Sequence, residues 1–161
     1  MIRPATSADA AAIAAIYNHY VANTVVTFEE EAVSASEMTR RIGEVTAAGL
    51  PWLVATEGDR VLGYAYANKW RVRRSYRFSV ETTVYLDHTA TGRGLGAELY
   101  TALLAELKTR GLHAVIGGVA LPNAASVTLH EKLGFQKVAH FREVGWKFNR
   151  WIDVGYWERH L

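Results

Sequence analysis

The stretch VETTVYLDHTATGRGLGAELYTALLAELKTRG, residues 80–111, reads as a strand, a glycine loop and a helix in direct succession. Val80, Thr82, Thr83, Val84 and Tyr85 give residues 80–86 the β-branched and aromatic content of a strand. A loop follows over 87–93, and a helix opens on Gly94-Leu95-Gly96. Leu99, Leu103, Leu104 and Leu107 keep the 3.6-residue rhythm of a buried stripe, and Gly111 stands where a helix C-cap belongs. A helix start presents unpaired backbone N–H groups and the positive end of its dipole. Glycines let an anion lie directly against that backbone. Residues 91–96 are thus either a phosphate or pyrophosphate site or a plain glycine-rich turn, and the glycines alone do not separate the two.

Working outward toward the N-terminus, Ile2 and Arg3 open a short strand, and Thr6 with Asp9 forms an acidic capping box. The helix after it carries Ile13, Ile16, Tyr17 and Tyr20 on one face. Residues 23–33 read as loop or short strand around Phe28; Ser34 and Glu37 then cap a second helix that runs to about Ala48 and stops at Gly49 and Pro51. Residues 52–57 and 60–70 form a hairpin about Gly58-Asp59. A basic cluster follows: Lys69, Arg71, Arg73, Arg74 and Arg77.

Toward the C-terminus, residues 113–120 read as a buried strand. The Gly117-Gly118 pair inside it marks a bend or a close approach. Pro122-Asn123 opens a helix with Val127, Leu129 and Leu133 inward and Gly134 at its end. Strands over 138–147 and 152–159, joined through Asn149-Arg150, complete the chain. The order β-α-α-β-β-β-α-β-α-β-β describes an α/β (α+β) protein: a central mixed, mostly antiparallel sheet flanked by about four helices, one domain over 1–161.

Composition narrows the function classes. Half of the 161 residues are hydrophobic, with five Trp and eight Tyr, which is a folded composition. A net charge of +2 is too balanced to argue for nucleic acid or an anionic membrane. The absence of cysteine removes disulfides, thiol nucleophiles and cysteine metal sites, and no metal is expected. With no membrane-spanning run and no signal-peptide pattern, the expected location is the cytoplasm.

Among phosphate motifs, a P-loop requires Lys and Ser or Thr after its last glycine, and Ala97-Glu98 stands there instead. The dinucleotide fingerprint is formally met by Gly92, Gly94 and Ala97. It lies past mid-chain, however, and no acidic residue occurs between Glu106 and Glu131. Residues 91–96, Thr-Gly-Arg-Gly-Leu-Gly, resemble the Q/R-x-x-G-x-G/A acetyl-CoA loop of the GNAT superfamily of N-acetyltransferases, with Thr91 in place of Gln or Arg. Residues 122–135, an Asn-opened helix closing on Gly-Phe, resemble that superfamily's next motif.

Tyr17-Asn18, Phe28, Gly63-Tyr64-Ala65, Glu81-x-Thr83-Val84-Tyr85, Leu121-Pro122-Asn123 and Gly145-x-Lys147-x-x-x-Trp151-x-Asp153 resemble, more narrowly, the phosphinothricin and methionine sulfone or sulfoximine N-acetyltransferases. The resemblance covers nearly the whole chain. It implies acetyl transfer from acetyl-CoA to the amine of a small anionic amino acid or analogue, and a homodimer, to whose interface Trp146, Trp151 and Trp157 belong if not to the core. Outside that reading stand a non-catalytic acyl-CoA-binding module and a transferase for peptide or protein N-termini.

Alternation along 80–86 puts Glu81, Thr83 and Tyr85 on one face and Val80, Thr82, Val84 and Leu86 on the other. An amino-acid ammonium must lose a proton before it attacks a thioester, and Glu81 is the expected base. The resemblance further implies His130 as the acid for the leaving thiolate. It implies cofactor contacts from Val84, Tyr85 and Leu86, through a pantetheine arm added like a strand, and from Thr91, Gly92, Arg93, Gly94, Leu95, Gly96, Asn123 and Ser126. Substrate contacts fall to Phe28, Arg71, Arg73, Tyr76, Glu81, Thr83 and Tyr85, the arginines offering planar forks to acidic groups.

Overall fold

A computed structural model describes residues 1–161. Its helices begin where the sequence supplies caps. Asp9 closes a 3₁₀ turn at Ser7–Asp9 just ahead of α1 (Ala10–Asn23). Its carboxylate accepts from Thr6 N at 2.8 Å and from both Arg3 guanidinium nitrogens, each at 2.8 Å. That fork, more than any other partner, holds the Asp9 pKa down at about 2. Ser34 Oγ accepts from Glu37 N at 3.1 Å and opens α2 (Ala35–Ala47). The Glu37 side chain pairs with Arg40 and Arg41 rather than reaching back, so this capping box is only half formed. α3 (Leu95–Thr109) buries Leu99, Tyr100, Leu103, Leu104 and Leu107. Gly111, at φ 76°, donates to Lys108 O, and Leu112 N donates to Leu107 O, which satisfies the last carbonyls of α3.

The strands are β1 (Ile2–Pro4), β2 (Trp52–Glu57), β3 (Arg60–Lys69), β4 (Ser79–Leu86), β5 (Ala114–Leu121), β6 (Gln136–Lys147) and β7 (Arg150–His160). They form one sheet in the order β1-β2-β3-β4-β5-β7-β6, and only β4 and β5 run parallel. α1 covers the face of Tyr85, whose ring meets Tyr17 edge-on at 5.3 Å and lies 5.1 Å from Tyr20. α3 covers the opposite face, where Thr82 reaches Tyr100. No helix is long and apolar enough to cross a membrane.

One local expectation needs correction. The last hairpin turns at Phe148-Asn149, not Asn149-Arg150: both residues are left-handed, φ 50° and 57°, as a two-residue turn that matches strand twist requires. In α4 (Ala124–Lys132), Val127, Leu129 and, at the C-cap, Leu133 pack half-buried against the core as expected, and His130 is the one fully buried residue. A polar ring can take the inward position here because both its nitrogens are hydrogen-bonded inside the protein.

The feature that positions the site lies between β4 and β5. They pair only over Ser79–Glu81 against Ala114–Ile116. Beyond that, β4 continues on β3 to Leu86, while β5 continues on β7 to Leu121. The sheet therefore opens as a fork from Thr82 and Gly117 onward. The start of α4 and the loop after α1 border this opening.

Candidate active site

The fork is lined by Thr82, Thr83, Val84 and Tyr85 of β4, Gly118 to Ala120 of β5, Asn123, Ser126 and His130 of the α4 region, and Val26 from the loop after α1. Asp87 N donates to Leu62 O at 2.8 Å. By strand alternation Tyr85 N–H shares that β3 side, and Val84 and Leu86 turn their N–H groups to the gap. Of the three expected backbone contacts, Tyr85 is thus committed to the ladder. The Leu86 carbonyl accepts from Tyr20 OH at 2.6 Å.

At the open end of β4 lies the glycine loop. Asp87 organises its approach, accepting from Arg60 at 2.8 Å, Thr89 N at 2.9 Å and Thr89 Oγ1 at 2.7 Å, and these bonds hold its pKa well below the usual carboxylate range. Gly92 and Gly94 sit at φ 76° and 80°, where a side chain would be strained. Ala97 N and Glu98 N both donate to Gly94 O, but none of the backbone N–H groups of residues 91–96 has an acceptor within the protein. Six consecutive donors at a helix start form an anion cradle. Thr91 spends its hydroxyl on His88 O at 3.3 Å, and the exposed Arg93 pairs with Glu57 at 3.2 Å, so the cradle is backbone, with side chains secondary. Asn123 uses its Oδ1 to accept from Ser126 N at 3.1 Å as the α4 cap, which leaves its Nδ2 for a ligand in the fork.

At the closed end, Glu81 faces a cavity of about 380 Å³ shared with Val26, Phe28, Gly118, Phe141, Val144 and Tyr156, among others. Val26, Gly118 and Ala120 line both this cavity and the fork, so the two are continuous. The glycine at 118 is needed for close approach: a Cβ there would stand 3.2 Å from Glu81 Oε1 and 3.1 Å from the Tyr156 ring. Glu81 makes no ion pair with the arginines of 71–77 or with any other cation, and burial raises its pKa. An unpaired, partly desolvated carboxylate is a proton acceptor suited to neutral pH.

His130 is placed differently from what an acid requires. It is buried; its Nδ1 lies 2.7 Å from Ser126 O, and its Nε2 lies 3.1 Å from Tyr100 OH. A carbonyl can only accept, so Nδ1 carries the proton and Nε2 accepts from Tyr100. Tyr100 in turn bonds Thr82 Oγ1. Burial pushes the imidazole pKa down, so at neutral pH this is a neutral ring with its one proton committed to a carbonyl. A Cβ on Gly117 would overlap the ring, at 2.4 Å from Nε2, so the second strand glycine also has its reason. Tyr100 and Thr82 were not foreseen from sequence; the Gly117-Gly118 pair was the only signal pointing at this chain.

Of the remaining expected substrate residues, Phe28 lines the Glu81 cavity and Thr83 and Tyr85 line the fork. Arg71, Arg73 and Tyr76 do not line either: they lie on the exposed segment between β3 and β4. Arg71 connects to the cavity through Trp70: its guanidinium lies 5.1 Å from the Trp70 ring, which packs edge-on at 5.8 Å against the cavity residue Tyr156.

Residues 2–155 match the acetyltransferase (GNAT) domain family. The chain belongs to the GNAT acetyltransferases. It is 42% identical over 158 residues to a phosphinothricin N-acetyltransferase of Streptomyces viridochromogenes, covering 98% of this chain and 86% of the other. It is 37% identical over 160 residues to an L-methionine sulfoximine/L-methionine sulfone acetyltransferase of Salmonella typhimurium, covering 99% and 94%. The crystal structure of a Sinorhizobium meliloti phosphinothricin acetyltransferase in complex with acetyl-CoA superposes with a TM-score of 0.97 at 36% identity, covering 100% of this chain and 88% of that one. This GNAT chain is an acetyl-CoA-dependent N-acetyltransferase, and its residues fit that cofactor: an unpartnered amide cradle suits a pyrophosphate, and the fork offers strand edges to an extended arm.

Proposed function

We propose that the chain acetylates the amine of a small anionic amino acid or analogue, of the phosphinothricin, methionine sulfone or methionine sulfoximine type, with Glu81 as general base. One observation carries this reading: Glu81, the only carboxylate lining the cavity continuous with the fork, is half-buried and forms no ion pair, although Arg41 and Lys69 share a neighbouring cavity with it. The acetyl donor supplies a thioester carbonyl where the fork meets the cavity. The acceptor amine enters on the Phe28 side, and Glu81 takes its proton directly or through one water. Val84 or Leu86 N–H, both on the gap side of β4, meets the carbonyl oxygen as it gains charge; collapse of the adduct completes the C–N bond and breaks C–S, and CoA leaves as the thiolate, taking a proton from the adduct's nitrogen or from solvent.

Asn123 Nδ2 and Ser126 hold the arm from the α4 side. His130 acts by position: through Tyr100 and Ser126 it fixes α4, and with it Asn123, over β5. Arg71, with Arg73 and Tyr76 behind it, supplies positive charge toward the acceptor's acidic group. The names of the relatives support the acceptor class.

The exposed Trp146 and Trp151, whose rings lie 4.6 Å apart on the β6–β7 hairpin next to the exposed Phe148 of its turn, support a homodimer. Light scattering on a sizing column reads its mass, and a Trp151→Glu chain should run as monomer.

The function test is a panel of amino acids and analogues with acetyl-CoA, following free thiol and ranking kcat/KM. Anionic, phosphinothricin-like acceptors should lead. A ranking led by peptides would favour the N-terminal reading, and tight CoA binding with no turnover on any acceptor would favour a binding module.

A further inference from the structure

The hairpin motif Gly145-x-Lys147-x-x-x-Trp151-x-Asp153 has no part in the chemistry above, yet it abuts the acceptor cavity. Between Phe141 and Gly145 the register of β6 on β7 slips, with Phe141 opposite Val154 and Gly145 opposite Ile152. The slip forms a bulge in which Glu143 is left-handed, φ 53°. Asp153 pins it, accepting from Glu143 N at 2.9 Å and from His140 Nε2 at 2.8 Å. The bulge delivers Phe141 and Val144 to the cavity wall.

Gly145 and Lys147, two apart, share the next face of β6. A Cβ on Gly145 would stand 2.4 Å from Phe28 Cζ and 2.6 Å from Cε2, so the Phe28 ring is seated directly on that glycine. Lys147 is 1% exposed; its Nζ donates to Val21 O at 2.8 Å and to Thr27 O at 2.9 Å. Thr27 is the residue before Phe28. Phe28 is 40% exposed and lies in a loop without regular structure, tied down through its buried neighbour Thr27, whose Oγ1 lies 2.7 Å from Tyr17 OH.

We infer that Lys147 and Gly145 are positioning residues for the acceptor: together they fix Phe28 as the cavity wall and so set which acceptor side chains fit. This rests on the reading of the Glu81 cavity as the acceptor site. Lys147 holds the loop backbone from the β6 side, Tyr17 holds it through Thr27 Oγ1, and Gly145 sets the depth of the ring. An added methyl at 145 must drive the ring about 1 Å away from β6, toward the cavity, and a displacement of that size costs about ten- to a hundredfold in a positioned site.

The test measures kcat and KM for the acceptor panel, KM for acetyl-CoA and thermal midpoint for wild type, Phe28→Ala, Gly145→Ala, Lys147→Met and Gly145→Ala/Phe28→Leu. Gly145→Ala and Lys147→Met should raise acceptor KM about ten- to a hundredfold, most for the longest side chains, with acetyl-CoA KM within about twofold. The smaller Phe28→Leu side chain should restore acceptor KM in the Gly145→Ala background, which a general loss of packing would not allow. If Phe28→Ala shifts acceptor KM while both positioning variants stay within twofold of wild type, the inference fails and the acceptor reading stands. If Phe28→Ala is also silent, the acceptor reading itself fails. Should Lys147→Met not fold, the kinetics of Gly145→Ala and its double variant decide alone.

Discussion

Replacing Glu81 by Gln keeps the shape of the side chain and removes the carboxylate proposed as general base. Loss of a general base lowers kcat by about 10²–10⁴, roughly 3–5 kcal/mol of barrier. Stability should move the other way. Burial raises the Glu81 pKa with no cation to offset it. The folded chain therefore keeps this proton to higher pH than the unfolded chain does. Wherever the folded state holds more protons, stability falls as pH rises, so the loss begins near the ordinary value of 4.5 and is complete above the folded value. At pH 8 the Gln variant escapes that penalty, and its thermal midpoint should equal or exceed that of wild type. Acetyl-CoA affinity should hold, because the amide cradle stands at the other end of β4. Thiol release reads turnover, calorimetry reads acetyl-CoA affinity and scanning fluorimetry reads the midpoint. A folded Glu81→Gln enzyme at wild-type turnover would refute the assignment, and so would an affinity loss that tracks the loss of turnover.

Asp9, at about pKa 2 in the folded chain against 3.8, contributes ~2 kcal/mol that is present above pH 4 and lost as pH falls toward 2; Asp9→Asn should flatten that limb of a denaturant-measured stability curve. Gly94→Ala has open space for its methyl but must hold φ near 80°, so it should cost about 1–2 kcal/mol of stability and weaken acetyl-CoA binding beyond that loss, as calorimetry on the folded variant will read. Tyr100→Phe leaves His130 Nε2 without its donor in a buried site, a cost of about 1–3 kcal/mol in stability, and should raise acetyl-CoA KM through the displaced α4. An unchanged midpoint in Tyr100→Phe would dissolve the proposed anchor.

The element order was legible because its punctuation is local. Gly49 and Pro51 end α2, Gly58 turns β2 into β3 and Gly111 ends α3, each by a conformation that its own residue type explains. The Phe148-Asn149 turn was not legible, because a left-handed Phe carries no local signal. Phe148 is kept there by its neighbourhood, with Lys147 Nζ 5.0 Å from its ring. The burial of His130 in α4 was not legible for a related reason: it depends on the Tyr100 hydroxyl, thirty positions away, donating to Nε2, together with Ser126 O accepting from Nδ1.

At the site, what could be read was whatever one strand decides alone. Glu81, Thr83 and Tyr85 share a face because a strand alternates, and the cradle is legible because glycines precede a helix. What could not be read depends on β4 losing a neighbour. The fork exists because β4 follows β3 and β5 follows β7 past residues 81 and 116, and no residue in either strand announces the separation. Yet the fork gives each direction of β4 its own task. The odd-numbered Glu81 faces the cavity proposed for the acceptor, the even-numbered Thr82 reaches the Tyr100–His130 chain, and the freed edge leaves two amides for the arm proposed to lie there. Glycine at 117 and 118 is what lets β5 stand close enough for this, since a side chain at either would strike His130 or crowd Glu81. The two glycines are therefore part of the active site, although neither has an atom that could do chemistry.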